Sequence, residues 1–265
     1  MSDTMNMCRF DRLRSRHKVW AGVLMILFVI GFFLLYNIAI SIFLFIDDLV
    51  VCAFLGDIFC FLIAFFMYRK HIFGIADPVR MPSEVPDAVI PVGMLAVIFS
   101  LQTISIFLAT HIPDAGMEAR TGILNESSVL LQLILSVIVA PITEEFIFRL
   151  VSYNALKKGV GWVAAAVISS LLFAVCHGTI THMITATALG FMFCLVYEYT
   201  GRWWASVWCH ITYNAGLVVL GLFEYDKIAA GSTVLFAICS LVILCIITIG
   251  ICMVIHRHNT QERMV

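Results

Sequence analysis

The sequence predicts an all-α membrane protein with about eight transmembrane helices. Of its 265 residues, 62% are hydrophobic and only 12% are charged, whereas a soluble domain usually carries about 25% charged residues. The apolar runs are continuous and long, as expected for helices that need roughly 20 apolar residues to cross a bilayer. They lack the period-two alternation of outer-membrane strands. We therefore expect a helical bundle with the lipid bilayer as its immediate partner.

The N-terminal part of the chain is predicted to contain a basic cytoplasmic segment, residues 1–18, and three spans within residues 19–127. The first apolar stretch is too long for the core of a cleaved signal peptide and lacks a small-residue cleavage site. We expect it to remain as the first span. The three spans cover approximately residues 19–45, 49–67 and 89–110, and prolines break any helix between the last two.

The C-terminal part is predicted to contain four spans within residues 128–223, which carry the polar motifs discussed below. A last span and a cytoplasmic tail follow within residues 224–265. The spans cover approximately residues 128–156, 161–177, 183–199, 203–223 and 232–255. We find no internal repeat and no segment that could form a separate soluble domain.

The distribution of lysine and arginine predicts the orientation in the membrane. An even number of spans puts both termini on one side, and that side carries thirteen of the sixteen basic residues. Because cytoplasmic loops are enriched in lysine and arginine, we expect a multi-pass plasma-membrane protein with both termini in the cytoplasm.

Two classes of function are disfavoured by composition. No basic tract interleaved with aromatic residues is present, so we expect no nucleic-acid partner. The nine cysteines include no CxxC pair, and they predict neither a disulfide framework nor a zinc knuckle.

The fourth predicted span contains Glu144, Glu145 and Arg149, where a lipid-facing helix would carry no charge. Each charge costs roughly 2.5–3.5 kcal/mol at the bilayer centre, so all three are expected to face protein or water. Glu145 and Arg149 are four residues apart and can form an ion pair on one helix face. Glu144 points about 100° away from Glu145 and could face a cavity as a general base. All three could instead be structural contacts between helices.

Two further motifs lie in later spans: Phe173 with His177, and His210 with Asn214. The members of each pair are four residues apart and share a helix face. A lone histidine such as His177 is more often structural than catalytic. His210 and Asn214 could stabilise an oxyanion or could simply pair with a neighbouring helix. Because three helices each bring a polar group into apolar surroundings, a common site is favoured.

The depths of these groups do not agree if every helix is straight. Counted from the cytoplasmic ends, Glu144 lies roughly 18 Å deep, His177 roughly 25 Å and His210 roughly 10 Å. Tilt, a kink at Pro141 or a re-entrant turn would have to close this gap.

Three other polar residues have less specific surroundings. Asp57 in the second span could line the same cavity or have a structural partner. His182 is expected near an interface or as an extra ligand, and Glu198 near a membrane interface.

The three motifs together resemble the CAAX protease and bacteriocin-processing family of intramembrane endopeptidases, over about residues 128–220. In order they are Glu144-Glu145-x-x-x-Arg149, Phe173-x-x-x-His177 and His210-x-x-x-Asn214. The resemblance implies an eight-helix membrane fold and hydrolysis of a peptide bond. It also implies that Glu144 activates water held by His177, and that His210 and Asn214 form the oxyanion site. The supporting motif positions are Glu145, Arg149 and Phe173.

The resemblance implies catalysis by glutamate without a metal cofactor. The sequence contains no His-Glu-x-x-His motif, although zinc held by Glu144, His177 and His210 would satisfy an open three-ligand site. The expected substrate is a peptide or protein segment at the membrane, such as a peptide pheromone, a bacteriocin precursor or a membrane-anchored tail. Two other functions stay open: a non-catalytic scaffold that binds a sensor kinase or another membrane partner, and a small transporter that uses the same buried charges.

Overall fold

The computed structural model describes residues 18–43, 48–70, 89–111, 129–224 and 234–261, and the regular structure in these ranges is entirely helical. The all-α fold class is therefore confirmed, and each predicted span corresponds to a helix of similar bounds. We number the helices in chain order: α1 (Lys18–Ile42), α2 (Leu49–Arg69), α3 (Val89–His111), α4 (residues 129–160), α5 (Trp162–Val175), α6 (Ile180–Thr200), α7 (Trp203–Leu222) and α8 (Val234–Gln261). The predicted basic segment up to residue 17 lies outside the described residues.

Four stretches of the described helices are long and apolar enough to cross a membrane by length and composition. Shorter apolar stretches lie in α3, α5 and α8. The protein is thus an all-α membrane protein, whereas the number of crossings and the side of each terminus stay predictions. The four long stretches are Val50–Arg69, Val129–Lys157, Ile180–Thr200 and Trp203–Leu222.

Helices α4 to α7 form the centre of the bundle. Helix α6 packs along α5 and also contacts α7, while α4 contacts both α5 and α7. Helices α1 and α2 pack together and lie against α4, whereas α3 and α8 pack together and lie against α6. The helices that carry the polar motifs are therefore flanked by a pair of helices on each side.

Aromatic side chains fill the contacts between the central and flanking helices. The Phe146 ring meets the rings of Phe61 and Trp203 edge-on, with centroids 5.1 and 5.7 Å apart. On the other side, Phe193 and Val97 are fully buried in one apolar cluster. Because lipid tails are as apolar as these side chains, close packing rather than water exclusion holds such helices together.

Helix α5 is short and presents an apolar stripe to its surroundings. It has 14 residues and is therefore about 21 Å long, whereas a hydrocarbon core is about 30 Å thick. Residues four apart share one face. The side chains on this stripe are 43–56% exposed: Val163, Val167, Leu171 and Val175.

Helix α4 is irregular on both sides of the turn that carries Glu144 and Glu145. Two stretches are π-helical, with hydrogen bonds to the carbonyl five residues earlier: Leu135–Val139 and Phe146–Tyr153. Pro141 follows the first stretch and has no N–H to continue a regular helix. Such π-helical turns are frequent at functional sites.

The chain reverses between α5 and α6 directly after His177. Gly178 has a φ of 77°, a conformation that favours glycine. Thr179 then begins α6, because its side-chain oxygen accepts a hydrogen bond from the His182 N–H. This tight turn places His177 at the end of the short helix α5.

Helices α5 and α6 approach each other closely at Gly190, where a Cβ atom would have little room. It would lie 3.1 Å from the Phe173 ring, 3.2 Å from Arg149 Nη2 and 3.3 Å from Ser170 Cα. A glycine at this position lets Arg149 reach the backbone of α6.

A buried polar network joins the end of α4 to α6. Glu198 is 2% exposed, accepts a 2.7 Å hydrogen bond from the Tyr153 hydroxyl and pairs with Lys157. Asn154 donates to the Tyr197 hydroxyl. Partners on α4 therefore enclose Glu198, and its position near a membrane interface stays a prediction.

Candidate active site

A cavity of about 670 Å³ lies inside the bundle beside α4. This volume is within the range of roughly 300–1,000 Å³ that is usual for ligand pockets. Helices α1, α2 and α3 also contribute to its wall, through residues such as Tyr36, Asp57 and Gln102. The structure brings to this wall all four residues that the motifs suggested for catalysis: Glu144, His177, His210 and Asn214.

The two neighbouring glutamates occupy different environments. The Glu144 side chain is 28% exposed and lines the cavity, whereas the Glu145 side chain is fully buried. Consecutive helical residues point about 100° apart, so one helix supplies one carboxylate to the cavity and one to the protein interior. This division agrees with the orientation that the spacing predicted.

Arg149 and Glu145 form the predicted ion pair. Arg149 Nε lies 3.1 Å from Glu145 Oε2, and both side chains are fully buried. These two atoms do not meet hydrogen-bond geometry, so the contact is mainly electrostatic. Arg149 Nη2 donates to the Gly190 carbonyl at 3.3 Å, and the guanidinium lies 4.4 Å from the Phe173 ring centroid. A carboxylate, a carbonyl and an aromatic face thus surround this charge.

His210 lies between the two glutamates. Its Nδ1 is 3.0 Å from Glu145 Oε1, and its Nε2 is 3.7 Å from Glu144 Oε2. An ionised carboxylate can only accept a hydrogen bond, so Nδ1 donates to Glu145 and Nε2 is directed at Glu144. The longer distance exceeds that of a direct hydrogen bond. A buried carboxylate on Nδ1 holds an imidazole in one tautomer and stabilises the imidazolium, as in other hydrolases.

His177 is oriented by its own helix. Its Nδ1 donates to the Phe173 carbonyl at 2.9 Å, because a carbonyl oxygen can only accept. In the neutral imidazole the other nitrogen, Nε2, is then an acceptor. A half-buried acceptor on the cavity wall is suited to hold a water molecule.

The Phe173 ring packs between polar side chains of the site. It is fully buried, and its ring meets the rings of His177 and His210 at centroid distances of 4.5 and 5.9 Å. The same ring covers the Arg149 guanidinium. The apolar position of the second motif therefore contacts three of the polar motif residues.

Asn214 donates a hydrogen bond to a backbone carbonyl in the π-helical part of α4. Its Nδ2 donates to the Ser136 carbonyl at 2.7 Å. In the π-helical stretch, the Ala140 N–H bonds to the Leu135 carbonyl instead of to Ser136. The N–H five residues after Ser136 would belong to Pro141, which has none. The Ser136 carbonyl is thus left for Asn214, and one further hydrogen of the amide remains available.

The zinc alternative stays a prediction. Among the residues that the structure describes, no three His, Cys, Asp or Glu side chains are grouped so that they could hold a metal ion.

Asp57 and His182 also line the cavity. Asp57 is only 8% exposed. His182 Nδ1 lies 2.8 Å from the Thr179 hydroxyl, within the turn that begins α6. For Asp57, the structure supports the cavity position, which was one of the two alternatives that the sequence left open.

Two contacts of the site were missed by sequence reasoning: Glu145 with His210, and Asn214 with Ser136. Their members are 65 and 78 residues apart in the chain. Spacing rules describe only neighbours within a turn or two of one helix, so no sequence signal pointed to either contact.

A family model matches the part of the chain that carries the three motifs. Residues 126–216 match the family model described as Type II CAAX prenyl endopeptidase Rce1-like. The chain is 37% identical over 95 residues to "Putative membrane peptidase YdiL" of Bacillus subtilis (strain 168), which is 36% of this chain and 39% of that protein. It is 29% identical over 97 residues to "Membrane-embedded CAAX protease MroQ" of Staphylococcus aureus (strain USA300), or 34% of this chain and 39% of that protein. The chain thus spans about two-fifths of each relative's length, and no solved structure gives a significant match.

The fold and the cavity define an α-helical membrane protein with a polar site between α4, α5 and α7. Residues 126–216, which include all three motifs, are similar to the Rce1-like CAAX prenyl endopeptidases. The resemblance noted from the motifs is therefore confirmed for this segment.

Proposed function

We propose that this chain is an intramembrane endopeptidase that hydrolyses a peptide bond in a peptide or protein segment presented at the membrane. The observation that supports this most strongly is the position of His210 between a cavity-facing carboxylate and a buried one. This arrangement provides a base, an oriented imidazole and room for water inside an otherwise apolar bundle.

Glu144 is the general base of the proposed reaction. Its partly exposed carboxylate accepts a proton from a water molecule, and the acceptor nitrogen of His177 holds the same water through its second hydrogen. The water oxygen then forms a bond with the carbonyl carbon of the substrate. Glu144 returns the proton to the amide nitrogen as the C–N bond breaks, so no proton is lost or gained.

His210 and Asn214 stabilise the oxyanion in this proposal. Because Nδ1 of His210 already donates to Glu145, donation through Nε2 to the oxyanion requires the imidazolium form of His210. Asn214 contributes the amide hydrogen that is not used on Ser136. Removing one such donor typically costs about 100- to 1,000-fold in rate.

The substrate class follows from the setting of the cavity and from the relatives. The cavity lies among helices long and apolar enough for a bilayer, so the scissile bond must reach it from a membrane-bound or membrane-embedded chain. The names of the relatives include a membrane peptidase and a membrane-embedded CAAX protease. A hydrophobic peptide precursor or a membrane-anchored tail fits both observations.

The central test removes the base. Candidate peptides are first identified by comparing the membrane peptidomes of cells with and without the active protein. Purified full-length protein is then reconstituted in liposomes together with these peptides. We expect Glu144→Gln to lower cleavage by about 100-fold or more. In water enriched in oxygen-18, the wild-type protein should add one heavy oxygen to each new C-terminal carboxylate.

The matched control is Glu224→Gln, an exposed glutamate just after α7, which should cleave as the wild type does. Retained cleavage in Glu144→Gln would remove Glu144 from the mechanism. A Glu144→Gln protein that cleaves nothing yet restores the phenotype of a deletion strain would favour the scaffold function. Proton-coupled flux in liposomes that is lost with Glu144 would favour the transporter.

The proposed mechanism uses no metal ion. Incubation with a strong zinc chelator is therefore expected to leave cleavage unchanged. Loss of cleavage that added zinc restores would instead support the zinc alternative.

A further inference from the structure

Asp57 is a buried carboxylate that the proposed hydrolysis does not use. It lies on α2, is 8% exposed and lines the same cavity as Glu144. Within the described part of the chain, it has neither a hydrogen bond nor an ion pair. Its carboxylate therefore faces the cavity without a protein partner from these residues.

The other fully buried carboxylates in the described ranges are compensated. Glu145 contacts Arg149 and His210, and Glu198 contacts Lys157. An uncompensated carboxylate in apolar surroundings is costly, and ionisable groups within a membrane typically mark a functional site. The position of Asp57 is explained if its partner arrives with the ligand.

The surroundings of Asp57 favour one positively charged organic group. A single carboxylate pairs well with an ammonium or guanidinium group through charge-assisted hydrogen bonds. A divalent metal ion needs several ligands, and no group of three suitable side chains exists among the described residues. Tyr36 also lines the cavity. An aromatic ring beside the carboxylate can cover a cation with its face.

We propose that Asp57 recognises a positively charged group of the substrate, namely a lysine or arginine side chain or a free α-amine, that enters the cavity beside the scissile bond. This inference rests on the proposed function, because it names the class of segment that the same cavity would take. A mostly apolar segment with one cation is then preferred over a fully apolar one.

The test measures binding separately from cleavage. Full-length Glu144→Gln protein in nanodiscs is titrated with short, fluorescent, N-acetylated apolar peptides. Each peptide carries one lysine, at a different position in each member of the series, and is paired with a norleucine peptide that keeps the methylenes but lacks the charge. The Glu144→Gln background prevents cleavage and removes the other cavity carboxylate as an attractor. We expect at least one lysine peptide to bind about 10-fold tighter than its norleucine partner.

Variants at position 57 assign this preference to the carboxylate. Asp57→Asn keeps the side-chain volume and should abolish the difference between the paired peptides, whereas Asp57→Glu keeps the charge and should retain it. The matched control is Asp48→Asn on the same helix. Asp48 caps the N-terminus of α2, and asparagine caps equally well, so the preference should persist.

The outcomes distinguish this inference from the proposed function. Equal affinities within every pair, no binding by either member, or a preference that survives Asp57→Asn would overturn the cation site. Cleavage is then measured with Glu144 restored. Peptides that bind with an Asp57-dependent preference but are never cleaved would contradict the endopeptidase proposal and leave the cation site standing.

Discussion

Glu145 uses its two carboxylate oxygens on two different partners. Oε2 lies 3.1 Å from Arg149 Nε, and Oε1 lies 3.0 Å from His210 Nδ1. The Arg149 charge compensates the fully buried Glu145 carboxylate, and Glu145 in turn holds the imidazole in one orientation. These contacts are local, yet they join α4 to α7 at the site.

Arg149→Met is expected to destabilise the protein by about 3–5 kcal/mol, because it leaves the buried Glu145 carboxylate uncompensated. The free energy of unfolding is measured by SDS titration in mixed micelles. The control Arg69→Met lies at the exposed end of α2 and should change the free energy by no more than about 0.5 kcal/mol. A small effect of Arg149→Met would show that Glu145 does not need this partner.

The double variant Glu145→Gln/Arg149→Met is expected to recover most of that stability, since it removes both buried charges. Cleavage should nevertheless stay at least about 100-fold below that of the wild type, because His210 has lost its orienting carboxylate. Stability and cleavage are measured on the same preparation. Full activity in this stable double variant would reduce Glu145 to a structural role.

At the residue level, the sequence predicted the members of the site better than their contacts. Glu145 and Arg149 could be paired from spacing because both lie on one helix. The contact of Glu145 with His210 depends on how α7 lies against α4, which no short-range pattern encodes.

At the level of secondary structure, Pro141 links an irregular helix to the site. Because Pro141 supplies no N–H, the Ser136 carbonyl bonds to Asn214 instead. Pro141→Ala would supply a competing N–H and let the π-helical turn become regular. We expect kcat to fall by about 10- to 100-fold with little change in KM, because the Asn214 amide is misplaced.

The comparison for this variant is Pro91→Ala, in the first turn of α3, where N–H groups have no partner within the helix. This change should leave kcat unaltered. If Pro141→Ala acts through Asn214, adding it to Asn214→Ala should lower kcat no further. Additive losses would refute that connection.

The contact between α5 and α6 at Gly190 gives a second prediction for the helices. Gly190→Val is expected to destabilise the protein by about 3 kcal/mol, because the added atoms collide with Phe173 and Arg149. A Cβ at Gly93 in α3 would meet no atom within 4 Å, so Gly93→Val is the control. SDS titration of both variants checks the difference, and equal losses would contradict the close approach.

Helix positions were predictable because hydropathy and helix breakers determine where each apolar run starts and stops. The irregular turns of α4 were not predictable in detail. A kink at Pro141 was only one of three features that could bring the polar groups to a similar depth. The short α5 and the turn at Gly178 also bring the polar groups together, because they place His177 inside the bundle beside the cavity.

At the level of the whole molecule, the arrangement of the helices could not be read from the sequence. Each helix is apolar nearly all round, so its pattern does not show which face meets another helix. The pairing of α1 with α2 on one side and α3 with α8 on the other determines which residues border the cavity. This is why Asp57 and Tyr36 share the wall with Glu144.

The membrane topology is a prediction for the whole chain. We expect both termini and residues 71–88 to lie in the cytoplasm, and residues 112–128 and 225–233 to lie outside, as the distribution of lysine and arginine indicates. Green fluorescent protein fused to the C-terminus should fluoresce, whereas alkaline phosphatase inserted within residues 112–128 should be active. A dark C-terminal fusion would contradict the even number of crossings.

The length of α5 affects the lipids that surround this protein. If α5 crosses the bilayer, its length of about 21 Å is roughly 9 Å less than the thickness of the hydrocarbon core. The acyl chains beside its apolar outer stripe are then longer than the helix requires. Those chains must compress or tilt at that side of the bundle. Such a dimple would shorten the path of water to His177. If the proposed hydrolysis occurs there, we expect faster cleavage in short-chain than in long-chain phosphatidylcholine.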